Sequence, residues 1–433
     1  MNDNPTSPTI SANQQWYERA KKVLPAGTFG NVAGDLVIRD GRAGRVWDED
    51  GREFVDFLIG SGPMVVGHCH PEVVEVVEAQ VRRGTTFFAN NAHGIELAEK
   101  ICDAVACAEK VRFVSSGTEA DMYAMRAVRA FTGREKILKF EGGYHGMSDH
   151  ALMSLAPRRL ANFPNAVPDS AGIPASVRDT MIVAPFNDAE AAVRLIEAHR
   201  EELAGVIVEP LQRLMPPRPG FLAALRESTA RHAIPLIFDE VVTGFRLAYG
   251  GAQEAYGVVP DLCTLGKAIG GGFALAAIAG RDDIMAHFDQ GRVGDEGFML
   301  QIGTLSGNPV AAAAGVKTLE ILARPGTYER IAKTGTAIMQ ALEENFAGTR
   351  IAVQVVGVPA MFDCVFTDQP VHDYRGVFHA DKSRLKRFNA LLREKAILKS
   401  EGKFYISAAH DDDDVAKTVV AIEYAARTMA AEA

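Results

Sequence analysis

Seven short apolar runs alternate with helix-length stretches between residues 111 and 279, and this alternation limits the fold more than any other feature of the chain. The runs are 111–114, 136–140, 180–184, 205–208, 234–238, 262–265 and 275–279, each bounded by glycine, proline or charged residues. None shows the strict apolar–polar alternation of a sheet with one wet face. Strands that are apolar throughout are buried on both faces, which calls for a mostly parallel sheet covered by helices. The expected fold class is therefore α/β, with a large doubly wound domain over residues 73–310.

The flanks have a different pattern. Residues 1–12 are polar and proline-bearing, and read as a disordered arm without the charged-then-apolar pattern of a secretory signal. A helix is expected over 14–22, ending before Pro25-Ala26-Gly27. Runs 36–41 and 45–57, broken by Asp40-Gly41 and Asp50-Gly51, predict a β-meander. After Pro309 come an alanine-rich helix (310–322), helices over 328–346 and 382–395, and strand-like pieces at 352–356, 361–366 and 404–406. Residues 311–433 thus read as a smaller α+β domain, and the segment 1–72 is expected to join it. The acidic run 411–414 suits a helix start, where carboxylates meet the positive end of the dipole.

A net charge of −9 over 433 residues argues against nucleic acid or an anionic membrane as partner. No apolar run is long enough to span a bilayer. The five cysteines are odd in number and lack disulfide or zinc spacing, so a reducing cytoplasm is the expected setting.

Three segments carry chemistry. Ser115-Ser116-Gly117-Thr118-Glu119 follows a strand and opens a helix, so its N–H groups and hydroxyls can cradle a phosphate. Read alone, the same residues make a capping box. Asp239 closes the apolar run 234–238, at the strand end where open α/β sheets bind ligands. A buried carboxylate there needs a partner, and a pyridinium N–H would be one. Lys267 follows 262–265 and precedes Gly270-Gly271-Gly272, an apolar setting that favours a free amine. Phosphate cradle, carboxylate and amine together are what pyridoxal 5'-phosphate requires, the lysine forming a Schiff base with its aldehyde carbon. Around them, Gly142-Gly143-Tyr144-His145-Gly146 offers close backbone approach, a ring face in Tyr144, and in His145 either a polarising group or a loop brace. Gly303-Thr304-Leu305-Ser306-Gly307 is a further donor-rich loop. His68-Cys69-His70 has no zinc spacing and reads as structural, so no metal is expected. The segment 152–177 reads as a gate over the site.

In these motifs the chain resembles the class III aminotransferases of the fold type I pyridoxal-phosphate enzymes. Within them it is most similar in look to the glutamate-1-semialdehyde 2,1-aminomutase branch. The likeness runs from about Trp16 to the C-terminus, through Ser116-Gly117-Thr118-Glu119-Ala120, Gly142-Gly143-Tyr144-His145-Gly146, Asp239-Glu240-Val241, Gly266-Lys267 and Gly303-Thr304. The resemblance implies a transaminase that moves an amino group from an amino acid or amine to an oxo acid, aldehyde or ketone by ping-pong half-reactions. It assigns Lys267 and Asp239 as catalytic residues. Ser116, Gly117 and Thr118 would bind phosphate, Tyr144 and Val241 would cover the two ring faces, and Glu209 and Gln212 would lie at the cofactor, with Gln212 at the ring hydroxyl. It also implies a homodimer in which Thr304 reaches the neighbouring subunit's phosphate. The chain departs from the aminomutase pattern on the substrate side. Pro25–Ala33 carries no arginine, Gly60-Ser61-Gly62-Pro63 replaces Ser-Trp-Gly-Pro, and Arg213 stands where a glycine is usual. Arg213, Lys403 and Ser61 are therefore the candidates for substrate contact.

Overall fold

In the computed structural model residues 10–30 and 34–432 are described, so the expected arm over residues 1–9 lies outside them, as do residues 31–33 of the stretch that lacks arginine. Among the described residues, fourteen strands form three sheets. In chain order they are β1 (Ile38–Arg42), β2 (Arg45–Asp48), β3 (Glu53–Asp56), β4 (Lys110–Val114), β5 (Lys136–Phe140), β6 (Met181–Ala184) and β7 (Leu203–Val208). There follow β8 (Leu236–Glu240), β9 (Leu262–Leu265), β10 (Ala276–Gly280), β11 (Gln354–Val358), β12 (Met361–Val365), β13 (Ile397–Leu398) and β14 (Phe404–Tyr405).

All seven apolar runs enter one sheet, in the order β4-β10-β9-β8-β7-β5-β6. Its pairings are parallel except those of β10, which runs antiparallel to both β4 and β9. Successive residues alternate between two buried layers. Leu138, Val206, Leu236, Phe238 and Cys263 enter one apolar cluster; Ile137, Ala204, Ile207, Ile237 and Leu262 enter the other, beneath the helix Gly117–Thr132. Burial of both faces is the reason these strands carry no polar alternation.

The meander forms as expected from β1, β2 and β3, and β13 from the C-terminal region completes its sheet by running parallel to β3. The third sheet is β11-β12-β14. The alanine-rich helix Pro309–Leu322 is buried along most of its length and packs against the helices Pro71–Val81 and Ala92–Ala104. Small side chains allow that close approach. The run 411–414 does open a helix, Asp412–Glu432, and Asp414 takes the Asp411 N–H at 3.1 Å and Arg45 Nε at 2.7 Å. Among the described residues, no helix is long and apolar enough to cross a membrane.

Candidate active site

Five loops leave the sheet at the same edge, the carboxyl ends of β4, β5, β7, β8 and β9. They carry Ser115–Thr118, Glu141–Gly146, Glu209–Arg213, Val241 and Lys267 respectively. This crevice is where a doubly wound sheet binds its ligand.

At one end lies the start of helix Gly117–Thr132. The capping box forms: Ser116 Oγ accepts the Glu119 N–H at 3.3 Å and donates to the Glu119 carboxylate, which also takes the Ser115 N–H at 2.8 Å. The Ser116 hydroxyl is thus committed to the cap, which leaves the first-turn N–H groups of Gly117 and Thr118 as the anion cradle. Only glycine fits at 117, since a Cβ would stand 2.9 Å from Val241 Cγ1. Gly146 lies against Thr118, whose Oγ1 accepts the Met147 N–H at 3.2 Å. The β5 loop is thereby fixed to the helix start.

At the floor, the buried Asp239 carboxylate takes His145 Nδ1 at 2.8 Å and the Val241 N–H at 3.1 Å. Thr264 Oγ1, 3.4 Å from Asp239, donates at 2.6 Å to Asp121. Burial, reinforced by the Asp239 charge, holds the Asp121 carboxyl well above the usual carboxylate range. Asp121, His145 and Asp239 present donor atoms within 4.8 Å of one another, the makings of a cation site as well. Two buried polar atoms here lack partners, His145 Nε2 and Gln212 Oε1. A Cβ at Gly143 would sit 3.1 Å from the first and 3.4 Å from the second, so the missing side chain keeps this space open. Gln212 Nε2 is anchored on the Glu141 carbonyl at 2.8 Å, and buried Glu209 takes the Tyr144 N–H at 2.8 Å.

Lys267 enters from β9 through Gly266 and opens a short 3-10 turn, Lys267–Gly270, with φ of 46°. Burial lowers the pKa of its amine, with Lys403 and Arg246 assisting and Tyr405 and Asp239 opposing. A pyridine-bearing phosphate ester with an aldehyde fits this donor set. It has an anion for the helix start, an N–H for Asp239, a hydroxyl for the orphaned Gln212 oxygen and a carbonyl carbon for the amine.

The family profile "Aminotransferase class-III" matches residues 29–403, most of the chain. The protein belongs to the class III aminotransferases. An omega-transaminase from Sphaerobacter thermophilus superposes with a TM-score of 0.92 at 35% identity, covering 98% of this chain and 99% of that one. A transaminase solved with pyridoxal phosphate bound gives 0.88 at 30% identity, covering 96% and 97%. A glutamate-1-semialdehyde aminomutase from Pseudomonas aeruginosa gives 0.84 at 24%, covering 95% and 93%, a likeness of fold alone. The aminotransferase is thus more similar to a transaminase than to the aminomutase, and the expected leaning to the aminomutase branch is corrected. Its cofactor is pyridoxal 5'-phosphate.

On the substrate side the aminotransferase brings some expected residues together and leaves others apart. Lys403 Nζ lies 5.6 Å over the Tyr405 ring, near Lys267. Ser61 is exposed, next to Gly62, whose missing Cβ would touch Lys267 Cδ at 3.4 Å. Arg213 is exposed, in the left-handed region at φ 61°, with its guanidinium 5.4 Å over the Tyr144 ring. Thr304 is exposed in a loop whose neighbours line a separate cavity with Phe88, Asn91 and Arg112; within one chain it meets none of the phosphate-end residues named above. His68 pairs with Asp56 at 2.7 Å, a structural contact. The segment 152–177 is fastened: Asp169 accepts the N–H groups of Leu155 and Ala156, Tyr374 Oη donates to the Pro157 carbonyl, and Arg375 to that of Ala161.

Sequence reasoning missed Asp121, Lys139, Arg246 and Tyr405. Lys139 is a lysine inside an apolar strand, a signal visible in Lys136-Ile137-Leu138-Lys139-Phe140. Tyr405 lies far along the chain from Lys267, and Arg246 carries no local signal of a role there; the fold brings both to it.

Proposed function

We propose that the aminotransferase moves an amino group from an amino acid or amine donor to an oxo acid, aldehyde or ketone, using one site for two successive half-reactions. The observation that carries this reading is the convergence of Lys267, Asp239 and the Gly117 helix start on one crevice. When bound, the cofactor supplies the aldehyde that takes up the amino group and a ring that draws electrons from the substrate carbon. Asp239 would keep the ring nitrogen protonated, and His145, with the Val241 N–H, holds that carboxylate in place. Thr264 donates to Asp121 beside it, whose pKa is raised by burial and by the neighbouring Asp239 charge. Gly117 and Thr118 bind the phosphate, and the capping box of Ser116 holds their N–H groups in position. Tyr144 and Val241 would cover the two ring faces, Gln212 Oε1 would accept from the ring hydroxyl, and Glu209 fixes the loop of Tyr144 through its N–H. Lys267, whose amine pKa burial lowers, would hold the cofactor through its aldehyde carbon and, once released, would carry the proton that leaves the substrate carbon.

The substrate carboxylate, where a donor has one, goes to Lys403 or Arg213, the cations nearest the open side of Lys267 and Tyr144. The assembly is a homodimer, in which the partner subunit's Thr304 completes the phosphate site. Support comes from the exposed apolar side chains Phe87, Phe88, Leu300, Ile302 and Leu305, which flank Thr304 and its cavity. The units 1–72, 73–310 and 311–433 belong to the same proposal, and the pairing of β13 with β3 supports the joining of the first to the last.

A donor-by-acceptor screen tests the reading. Amino transfer between two different molecules is expected; isomerisation of glutamate 1-semialdehyde without any such transfer would replace it with the aminomutase reading.

A further inference from the structure

Lys267 and two further cations, Arg246 and Lys403, gather around one buried phenol, Tyr405. Gly62, at φ 106°, marks the place: a Cβ there would lie 3.2 Å from Tyr405 Cε1, 3.3 Å from Arg246 Nη2 and 3.4 Å from Lys267 Cδ. The Arg246 guanidinium stands 5.2 Å from the Tyr405 ring centre and Lys403 Nζ stands 5.6 Å from it. Arg246 is 1% exposed, donates to the carbonyls of Gly62 and Val242, and leaves Nη1 without a partner.

The corner is held rigidly. The Tyr405 N–H donates to the Phe57 carbonyl at 2.9 Å. The loop before it is pinned by the buried Lys399–Asp363 pair at 2.6 Å and by Ser400 Oγ on the Lys403 carbonyl at 2.9 Å. Cations so close repel one another in a poorly solvated place, and a phenol that releases its proton offsets them. Burial would raise the Tyr405 phenol, but Lys403, Lys267 and Arg246 outweigh it and hold the group below its ordinary value. The groups that face Lys267 are Tyr405, Asp239, Lys403 and Arg246.

We propose that Tyr405 is a positioning residue for Lys267, its phenol oxygen acting as the counter-charge that sets how much of the lysine amine is free. When Tyr405 passes its proton to Lys267, phenol becomes phenolate and amine becomes ammonium, and the charge of the corner is unchanged. The inference rests on the reading of Lys267 given above, but the protonation of the lysine can be measured without cofactor.

The test is trace acetylation of cofactor-free protein across pH, with Lys267 followed by peptide mass spectrometry. In Tyr405→Phe the labelling midpoint of Lys267 falls by about half a pH unit or more, because the oxygen that stabilised its ammonium is gone. A tyrosine that merely packs leaves the midpoint in place, and an unmoved or raised midpoint in a folded variant overturns the proposal. Should Tyr405→Phe not fold, ultraviolet titration decides. Phenolate appearing at lower pH in wild type than in Lys403→Gln supports the counter-charge, and coincident titrations overturn it. Cofactor uptake by the wild type, measured separately, reports on the proposed function and leaves the labelling result intact.

Discussion

Lys139 offers the sharpest check on the energetics of the site. It lies in β5 with no exposed surface, and its ammonium donates to the carbonyls of Gly143 at 3.1 Å and Ala151 at 2.8 Å. No carboxylate oxygen bonds it directly, and burial lowers its pKa from 10.5 to about 7. At about 1.36 kcal/mol per pH unit, that fall corresponds to roughly 5 kcal/mol against the charged form in the folded state. Between pH 7 and 10.5 the unfolded lysine is protonated while the folded one is neutral. The unfolded state binds the extra proton there, so stability contributed by this residue rises with pH through that window and is lost as pH falls towards 7. Lys139→Met removes the titration but leaves two carbonyls without a donor, at about 1–3 kcal/mol each. The two effects nearly cancel around neutrality, so the slope is the informative quantity. Urea unfolding of cofactor-free wild type and Lys139→Met, compared at about pH 7 and about pH 9, should show the wild type gaining about 2–3 kcal/mol over the variant. Other titrating groups drop out of the difference. Parallel stability curves over that range would refute the assignment of a neutral amine. The same variant should release cofactor faster, since one of the gripped carbonyls, that of Gly143, directly precedes Tyr144 and His145.

Three further outcomes are expected. Lys267→Ala should lose the visible absorbance of the lysine-held cofactor and its turnover by orders of magnitude; near-normal turnover would remove Lys267 from the mechanism. Asp239→Asn should keep cofactor weakly and lower turnover by about a hundredfold or more in single-turnover kinetics, and an unchanged proton-transfer rate would count against the pairing with the ring nitrogen. Thr304→Ala should weaken cofactor binding without changing the sedimentation of the assembly, whereas a wild type that sediments as a monomer with full cofactor affinity would end the shared-site proposal.

The sheet was readable because its signal is local. A strand buried on both faces must be apolar along its whole length, and the seven runs carry that mark without help from distant residues. Their boundaries shift by only one or two residues, as in β8, where Asp239 and Glu240 continue the strand beyond the apolar run. Order within the sheet was not readable, because it is set by crossovers and by β10 running antiparallel. At the candidate site, the residues at or just after a strand end were legible as candidates: Gly117, Tyr144, Asp239 and Lys267. Residues that reach it from elsewhere were not. Tyr405 arrives on a two-residue strand of another sheet, and Arg246 is a buried arginine bonded to carbonyls where composition alone suggests a surface ion pair.

That division also separates cofactor chemistry from specificity. The groups proposed to hold the cofactor sit at one sheet edge, on the turns after β4, β5, β7 and β9 and at the end of β8. The proposed substrate side draws on Gly60–Pro63, Arg213 and the loop ending at Lys403, of which the last two bring positive charge. Each can change without disturbing the floor of Asp239, His145 and Thr264. On the proposed reading, a chain that keeps the floor and alters those three segments would keep the reaction and change what it acts upon. Lys403 carries the most weight among them, because it bears on Tyr405 and Lys267 as well as on the open crevice. Replacing it should therefore alter the pH dependence of the lysine together with the preference for acidic donors, whereas replacing exposed Arg213 should alter the preference alone.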